Sequence, residues 1–334
     1  MKSCLNNSVI LITGGTGSFG KSFTAMTLKK INPKRIIIFS RDEMKQWEMA
    51  HHYENNEKVK FIIGDVRDKS SLINAFDGVD FVLHAAATKI VPTAEINPFE
   101  CVKTNIQGAM NVIEVANQLN IKKTIALSTD KASNPINLYG ATKLASDKLF
   151  IANNNFTKKR SPKFSLVRYG NVVGSRGSVI PYFLSTSKKG IINITDIRMT
   201  RFMITLEDAV KMVWFAFDDM KGGETFIKKI PSIDILTIAN AVDEKAKKNL
   251  IGIRAGEKLH EQMIGSEDAM NTLEFKTYYK ILPNVKEQLK KYSSDFKKGN
   301  KVQPDFNYIS NKNDNWMTIS NLKKWIRNNQ LKNK

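Results

Sequence analysis

The stretch VILITGGTGSFGK, Val9 to Lys21, joins an aliphatic run to a glycine-rich turn and the start of a helix. A run that is apolar throughout suits a strand covered on both faces, as in a parallel sheet. Gly14-x-x-Gly17-x-x-Gly20 follows it directly. Glycines at these positions let the backbone turn tightly and come close to a pyrophosphate, which the free N–H groups and partial positive charge of a helix N-terminus stabilise. In a strand–turn–helix context the triplet predicts a dinucleotide site built by Gly14, Gly17, Ser18, Phe19 and Gly20.

Working outward, the same alternation continues. RIIIF (Arg35–Phe39), VKFII (Val59–Ile63), DFVLHA (Asp80–Ala85) and KTIALS (Lys123–Ser128) read as buried strands separated by amphipathic segments, notably one helix over Pro98–Leu119. The pattern predicts an α/β fold, a Rossmann-type doubly wound parallel sheet with a smaller C-terminal substrate-binding lobe. After about Gly170 the alternation turns irregular, beginning with GNVVGSRGS (Gly170–Ser178). The expected division is a dinucleotide-binding domain over residues 1–170, a substrate lobe over 171–290 with some chain returning to the first domain, and a basic polar segment over 291–334. A site is expected in the cleft outside the carboxyl ends of the strands.

Composition narrows the function classes. The 334 residues carry a formal net charge of +20. The part from Lys286 to Lys334 holds twelve Lys/Arg against four Asp/Glu, and the rest of the excess is spread thinly along the chain, mostly as lysine. Without an Arg-rich arm, zinc-finger spacing or an aromatic-interleaved RNA motif, no specific nucleic-acid partner is expected, whereas an anionic small substrate is. Cys4 and Cys101 fit neither a disulfide framework nor a metal site. No apolar run approaches membrane-spanning length, and MKSCLNNSVILITGG leads into a strand pattern rather than a signal segment, so a cytoplasmic protein without a membrane span is expected.

The end of the second strand distinguishes the two nicotinamide dinucleotides. An NAD site places a carboxylate there for the ribose hydroxyls, while an NADP site supplies cations for the 2′-phosphate. The sequence reads IIIFSRDEMKQ, with Ser40 where the acid would stand, then Arg41, and Lys45 about one turn on. NADP is the expected cofactor, with Asp42 near enough to keep NAD open. Asp65-Val66 in GDVRD would meet the adenine edge, and Ala85 and Ala86 in HAAATK would let the cofactor pass close by. His84 reads as a core or turn histidine.

LSTDKASNPINLYGATK, Leu127 to Lys143, carries the chemistry. Tyr139 and Lys143 stand at i and i+4, one helix face. An ammonium there is expected to lower the phenol pKa and hold the nicotinamide ribose, so that Tyr139 can take a hydroxyl proton while Thr129 hydrogen-bonds the same hydroxyl. Beside Thr129 stands an acid next to a base, Asp130-Lys131.

Through TGGTGSFG, GDVRD, HAAA, LSTDKA and YGATK the chain resembles the extended short-chain dehydrogenases/reductases. More narrowly it resembles the C5-inverting UDP-N-acetylglucosamine 4,6-dehydratases of the pseudaminic acid pathway type, through SRDEMKQWEMA, NLYGATKLASDKLF, RYGNVVGSRGSVIP, ITDIRMTRFMITLEDAV and GIRAGEKLHEQMI, over about Val9 to Ile264. The resemblance implies oxidation at C4, removal of the C5 proton, loss of the 6-hydroxyl as water and hydride return to C6. It makes Lys131 the C5 base and Asp130 the group that assists water loss, alongside Tyr139, Thr129 and Lys143. A lysine in that role must be partly neutral. The resemblance carries contacts with UDP-N-acetylglucosamine onto Lys89, Asn171, Thr195, Arg201, Arg254 and Glu257; Arg176 and Ser178 are expected near the pyrophosphate, and Arg198 is a further candidate. It also implies a homo-oligomer serving flagellin or surface glycans. Relatives commonly have Met before Lys89 and a polar residue after it; Thr88 and Ile90 stand there instead, which bears on substrate preference. A capsule-type dehydratase/epimerase and a non-catalytic NADP-binding regulator are the alternatives.

Overall fold

The computed structural model describes residues 3–156, 162–175 and 177–331. Strands β1 (Val9–Thr13), β2 (Arg35–Ser40), β3 (Val59–Ile63), β4 (Phe81–His84), β5 (Lys123–Thr129) and β6 (Lys163–Tyr169) lie in the order β3-β2-β1-β4-β5-β6, all parallel. Thr225–Lys228 adds in parallel beside β6, and Tyr278–Ile281, Thr272–Glu274 and Asn300–Lys301 continue antiparallel, making ten strands. The order reverses between β1 and β4, which opens a crevice at their carboxyl ends.

Helices cover both faces: α1 (Ser18–Lys30), α2 (Glu43–His51), α3 (Lys69–Phe76), α4 (Val91–Ile96), α5 (Pro98–Val102), α6 (Gly108–Gln118) and α7 (Leu138–Ala152) in the first half. Successive side chains of a strand point to opposite faces. Ile10, Ile12, Ile36, Ile38, Leu83 and Ile125 therefore pack with Phe23 of α1 and Val210, Trp214 and Phe217 of the helix Leu206–Asp219. Leu11, Ile37, Phe39, Val82 and Ala126 pack with Leu72 and Phe76 of α3, Val112 and Val115 of α6 and Phe150 of α7. These are the two hydrophobic layers of a Rossmann-type doubly wound sheet. Among the described residues no helix is long and apolar enough to cross a membrane.

The helix expected over Pro98–Leu119 contains a wide turn. Lys103–Gln107 forms a π-helical segment between α5 and α6. The extra residue turns Asn105 inward, where its Nδ2 donates to Thr88 O (3.0 Å) and Thr142 Oγ1 (3.0 Å), and its Oδ1 accepts from Thr88 N (2.9 Å). One buried amide thus ties the loop after β4 to α7.

The lobe has its own core. Ile180 and Phe183 of the helix Val179–Ser187, Ile192 and Ile194, and Ile233 and Ile238 meet Met317, Leu322 and Ile326 from the end of the chain. The basic segment from residue 291 is woven into both parts of the fold. Asn300–Lys301 closes the edge of the main sheet, Tyr308–Ile309 pairs with Gln262–Ile264, and Ile319–Leu331 lays its apolar side on the lobe. The lysine count hid a sparse but sufficient apolar stripe, because long charged side chains can occupy the solvent face of a helix whose other face is buried.

Candidate active site

At the carboxyl end of β1, Gly14 adopts φ +66°, and a Cβ there would stand 2.8 Å from Ala86 Cα and N. Gly17 enters α1 in extended conformation with no side chain capping the helix, so the N–H groups of Ser18, Phe19 and Gly20 in the first turn remain for a ligand. A cradle that one added methyl would fill, closed by a bare helix N-terminus, fits a dinucleotide pyrophosphate. Behind it Thr13 Oγ1 accepts from the N–H groups of Ala85 (3.2 Å) and Ala86 (3.3 Å). Its own proton therefore goes to His84 Nδ1, 2.8 Å away. Burial, with a contribution from Lys143, pushes the His84 pKa down to about 3, so this ring is a neutral structural partner.

At the end of β2 the Ser40 hydroxyl turns inward to Thr16 Oγ1 and Gln46 Nε2, both 3.2 Å away. Arg41 is exposed, its Nη1 3.8 Å from Asp65 Oδ2. Asp42 caps α2 by accepting from Lys45 N (3.0 Å) and also binds the Lys45 ammonium; those hydrogen bonds hold its carboxyl below the ordinary range. Burial opposes ionisation of Asp65, but Arg67 outweighs it through bonds from Nε (2.9 Å), Nη2 (2.7 Å) and the backbone N (3.0 Å), so its pKa is lowered. Val66 is buried, its carbonyl held by Asn111 Nδ2 at 2.9 Å.

The catalytic candidates converge where β5 ends. Asp130–Ala132 is a single 3₁₀ turn, capped by Thr129 Oγ1, which accepts from Lys131 N at 3.3 Å. Helix α7 packs hard against this turn: a Cβ on Gly140 would lie 2.3 Å from Lys131 O. Tyr139 is thereby buried beside Thr129, which works against the rise of its phenol pKa. Asp130, 1% exposed, accepts at Oδ1 from Thr129 Oγ1 (3.0 Å) and Lys131 Nζ (3.0 Å), and its Oδ2 has no partner.

The electrostatics depart from expectation in two respects. Burial pushes the Tyr139 phenol up to about 12, and the cation that pulls it back is Lys131 rather than Lys143. Lys143, buried and lowered by desolvation, faces Asp147, which Ser128 and Arg168 also hold. Secondly, Lys131 is not poised neutral. Desolvation disfavours its charge, but Asp130 and Glu261 override that and raise its pKa. Asp130 itself is raised, by burial first and Glu261 next, against the pull of Lys131.

Of the expected substrate residues, Lys89 sits on the loop after β4 and the other described ones on the lobe and its loops. Lys89 is exposed in the loop that Asn105 anchors through Thr88. Asn171 lies opposite Met203 in a short parallel pairing, its Oδ1 buried without a partner. Ser178 precedes the helix Val179–Ser187 with an equally unpartnered hydroxyl. Thr195 Oγ1 stands 3.0 Å from Met199 Sδ. Arg254 and Glu257 engage each other, Nε to Oε1 at 2.9 Å, in a loop pinned by Asn137 Nδ2 on Gly256 O (2.8 Å). Asn137 also caps α7 by accepting from Gly140 N (2.7 Å), which couples that loop to the catalytic helix. Arg201 Nη1 donates to Thr200 O (2.8 Å) and Leu259 O (3.1 Å). Arg198 is exposed and gripped by Asp196. Arg176 lies outside the described residues.

The sequence reading missed Asn105, Asn137, Lys258 and Glu261. Lys258 Nζ donates to Ser133 O at 2.7 Å, and Glu261, 2% exposed, lies 3.2 Å from Lys131 Nζ. In HEQMI a glutamate flanked by polar residues reads as surface; the apolar Met263-Ile264 just after it was the available sign of a chain segment entering the core.

Residues 10–283 match the family described as polysaccharide biosynthesis protein. The chain is 54% identical to the UDP-N-acetylglucosamine 4,6-dehydratase (inverting) of Campylobacter jejuni over 325 residues, 95% of this chain and 96% of that one. It is 44% identical over 283 residues to the UDP-glucose 4-epimerase of Rickettsia conorii, covering 82% and 83%. Its fold matches the X-ray structure of Pen from Bacillus thuringiensis with a TM-score of 0.87 at 34% identity, covering 97% of this chain and 99% of that one. With the glycine cradle and the Thr–Asp–Lys–Tyr cluster in place, the chain belongs to the polysaccharide biosynthesis protein family, within the extended short-chain dehydrogenases/reductases.

Proposed function

We propose that the protein is a UDP-N-acetylglucosamine 4,6-dehydratase that inverts C5, with NADP as cofactor and the first step of pseudaminic acid biosynthesis as its setting. The observation that carries the reading is the acid–base pair of buried Asp130 and half-buried Lys131, next to Thr129 and Tyr139. A simple epimerase or reductase moves hydride and one hydroxyl proton and has no task for a second acid and base.

When held by the glycine cradle, a nicotinamide dinucleotide would supply the acceptor for hydride from C4 and, in its reduced form, the donor to C6. Tyr139, aligned by Thr129 and acting as the phenolate that the neighbouring Lys131 ammonium favours, takes the 4-hydroxyl proton, and the resulting ketone makes the C5 proton acidic. Lys131 rests as an ammonium, but Asp130 Oδ1 is 3.0 Å away and burial penalises both ions. Moving one proton from Nζ to Asp130 leaves the total charge unchanged and creates an amine and a carboxylic acid together. The amine removes the C5 proton, Asp130 gives its proton to the 6-hydroxyl as the C6–O bond breaks, and water leaves. A proton then returned to C5 on the opposite face produces the L-arabino 4-keto sugar. Lys89, Asn171, Ser178, Thr195, Arg201, Arg254 and Glu257 are the residues proposed to hold the nucleotide sugar.

Two features support NADP. Arg41 is exposed at the end of β2, and the carboxylates near it are occupied, Asp42 by Lys45 and its own helix cap and Asp65 by Arg67. The epimerase reading has the Rickettsia relative in its favour. Mass spectrometry of the product from UDP-N-acetylglucosamine decides between them: loss of one water is the expected result, and a product of unchanged mass would overturn the dehydratase assignment.

A further inference from the structure

Lys131 has a second carboxylate partner that the chemistry above does not use. Its ammonium lies 3.0 Å from Asp130 Oδ1 and 3.2 Å from Glu261 Oε1. The two acids reach it from different parts of the fold, the turn after β5 and the chain entering Gln262–Ile264. Glu261 is fixed at the backbone on both sides, since its N–H donates to Ser310 Oγ (2.9 Å) and its carbonyl accepts from Ser310 N (2.8 Å). The next residues are held by Arg168, whose Nη1 donates to Met263 O at 2.8 Å. Glu261 Oε1 also faces Arg201 Nε at 3.8 Å, and its Oε2 is buried without a partner.

An ammonium carries three donors in tetrahedral array. Two are committed, to acids whose own positions are set by rigid elements, so the third direction at Nζ is determined. We propose that Glu261 is a positioning residue for Lys131: it fixes the direction in which Nζ faces the sugar and keeps the lysine charged until a proton passes to Asp130. This rests on the dehydratase reading given above. Once Asp130 takes the proton, Glu261 is the remaining anion at Nζ, and it stabilises the ammonium that forms when the amine takes the C5 proton, readying the pair for the next turnover. Glu261 suits this role because the cations around it hold its carboxyl below the ordinary range in spite of its burial. The charged groups acting on Lys131 are Asp130, Glu261 and Arg201; Tyr139 and Lys258 are the other titratable groups that sense its charge.

Two measurements test this together. Nitrogen-15 NMR of the lysine ammonium groups in the unliganded protein, with Lys131→Arg identifying the resonance, follows Lys131 directly. Glu261→Gln keeps an oxygen at Oε1 and removes the charge, so Lys131 should lose its proton about one pH unit lower than in the wild type. In turnover, Glu261→Ala should lower kcat about 10- to 100-fold with KM and cofactor affinity near wild type, since a slackened base loses alignment rather than binding. Glu261→Asp should restore most of the titration and part of the rate. An unmoved Lys131 titration in Glu261→Gln overturns the proposal. So does a parallel loss of kcat, substrate affinity, cofactor affinity and melting temperature in Glu261→Ala, which would mark a purely structural residue. A wild-type enzyme that releases no water from UDP-N-acetylglucosamine, with the Lys131 titration still shifted by Glu261→Gln, would instead overturn the dehydratase reading and leave the hold of Glu261 on Lys131 supported.

Discussion

Two lysines in this molecule are each set between a pair of carboxylates. Lys280, fully buried in the strand Tyr278–Ile281, binds Asp219 and Asp295, and lies 5.0 Å and 5.5 Å from the ring centroids of Phe226 and Phe275. The second oxygen of Asp295 is occupied by Lys221. Lys131 has the same partners in kind, at 3.0 Å and 3.2 Å, but its side chain is 24% exposed, and Asp130 Oδ2 and Glu261 Oε2 are left without partners. A closed network of satisfied charges ties the end of the chain to the sheet. An open one keeps unspent acceptors next to a movable proton, at a cost in stability that structure elsewhere must offset. Residue types alone do not separate the two; exposure and the unpartnered oxygens do.

Substitution should break the comparison cleanly. Lys131→Ala is expected to lower the dehydration rate by about 10³-fold or more, while cofactor binding and melting temperature stay near wild type; full activity would remove Lys131 from the chemistry. Lys280→Ala should do the reverse. Buried Asp295 then keeps only Lys221, while Asp219, about a third exposed, can turn to water. The loss is therefore roughly 2–3 kcal/mol rather than that of a fully buried broken pair, seen as a lower denaturant midpoint, with the folded fraction still turning over normally. Unchanged stability with lost activity would show that the two networks had been assigned the wrong way round.

A buried group without a charged partner sharpens the contrast. His84 is neutral in the folded protein, its pKa lowered from 6.5 to about 3. The unfolded chain takes up that proton below its own pKa and the folded one does not. The His84 contribution is therefore present above 6.5 and is lost as the pH falls toward 3, by up to ~1.4 kcal/mol per pH unit. His84→Asn should flatten this part of the stability–pH curve in thermal melts; an unaltered slope would place the acid sensitivity elsewhere. The smallest effect expected is at the cofactor end. Arg41→Ala should weaken NADP binding by about tenfold relative to NAD, from loss of one phosphate-facing cation, and equal loss for both dinucleotides would show that Arg41 does not read the 2′-phosphate.

Much of this was legible because it is local. The apolar runs and the glycine turn that follows Thr13 read directly as a parallel sheet with a phosphate cradle, since strand, turn and helix start are consecutive in the chain. Tyr139 and Lys143 share a helix face by spacing alone. Glu261 could not be read so, because its partner Lys131 is 130 positions away and only the docking of Gln262–Ile264 brings them together. Asn105 was hidden for a related reason: a helical periodicity puts it on a regular helix, whereas the π turn rotates it toward Thr88. The same non-local logic governs the tail, where Met317, Leu322 and Ile326 acquire meaning only from the lobe surface they cover.

The account stands or falls on what happens at C5. Turnover of UDP-N-acetylglucosamine in deuterated water, with the product examined by NMR as it forms, reads that carbon directly. The dehydratase reading predicts a 4-keto-6-deoxy product that carries solvent deuterium at C5 in the inverted, L-arabino configuration, and that does not form with Lys131→Ala. A product that keeps its original hydrogen at C5, or retains the D configuration there, would contradict the central role given to Asp130 and Lys131.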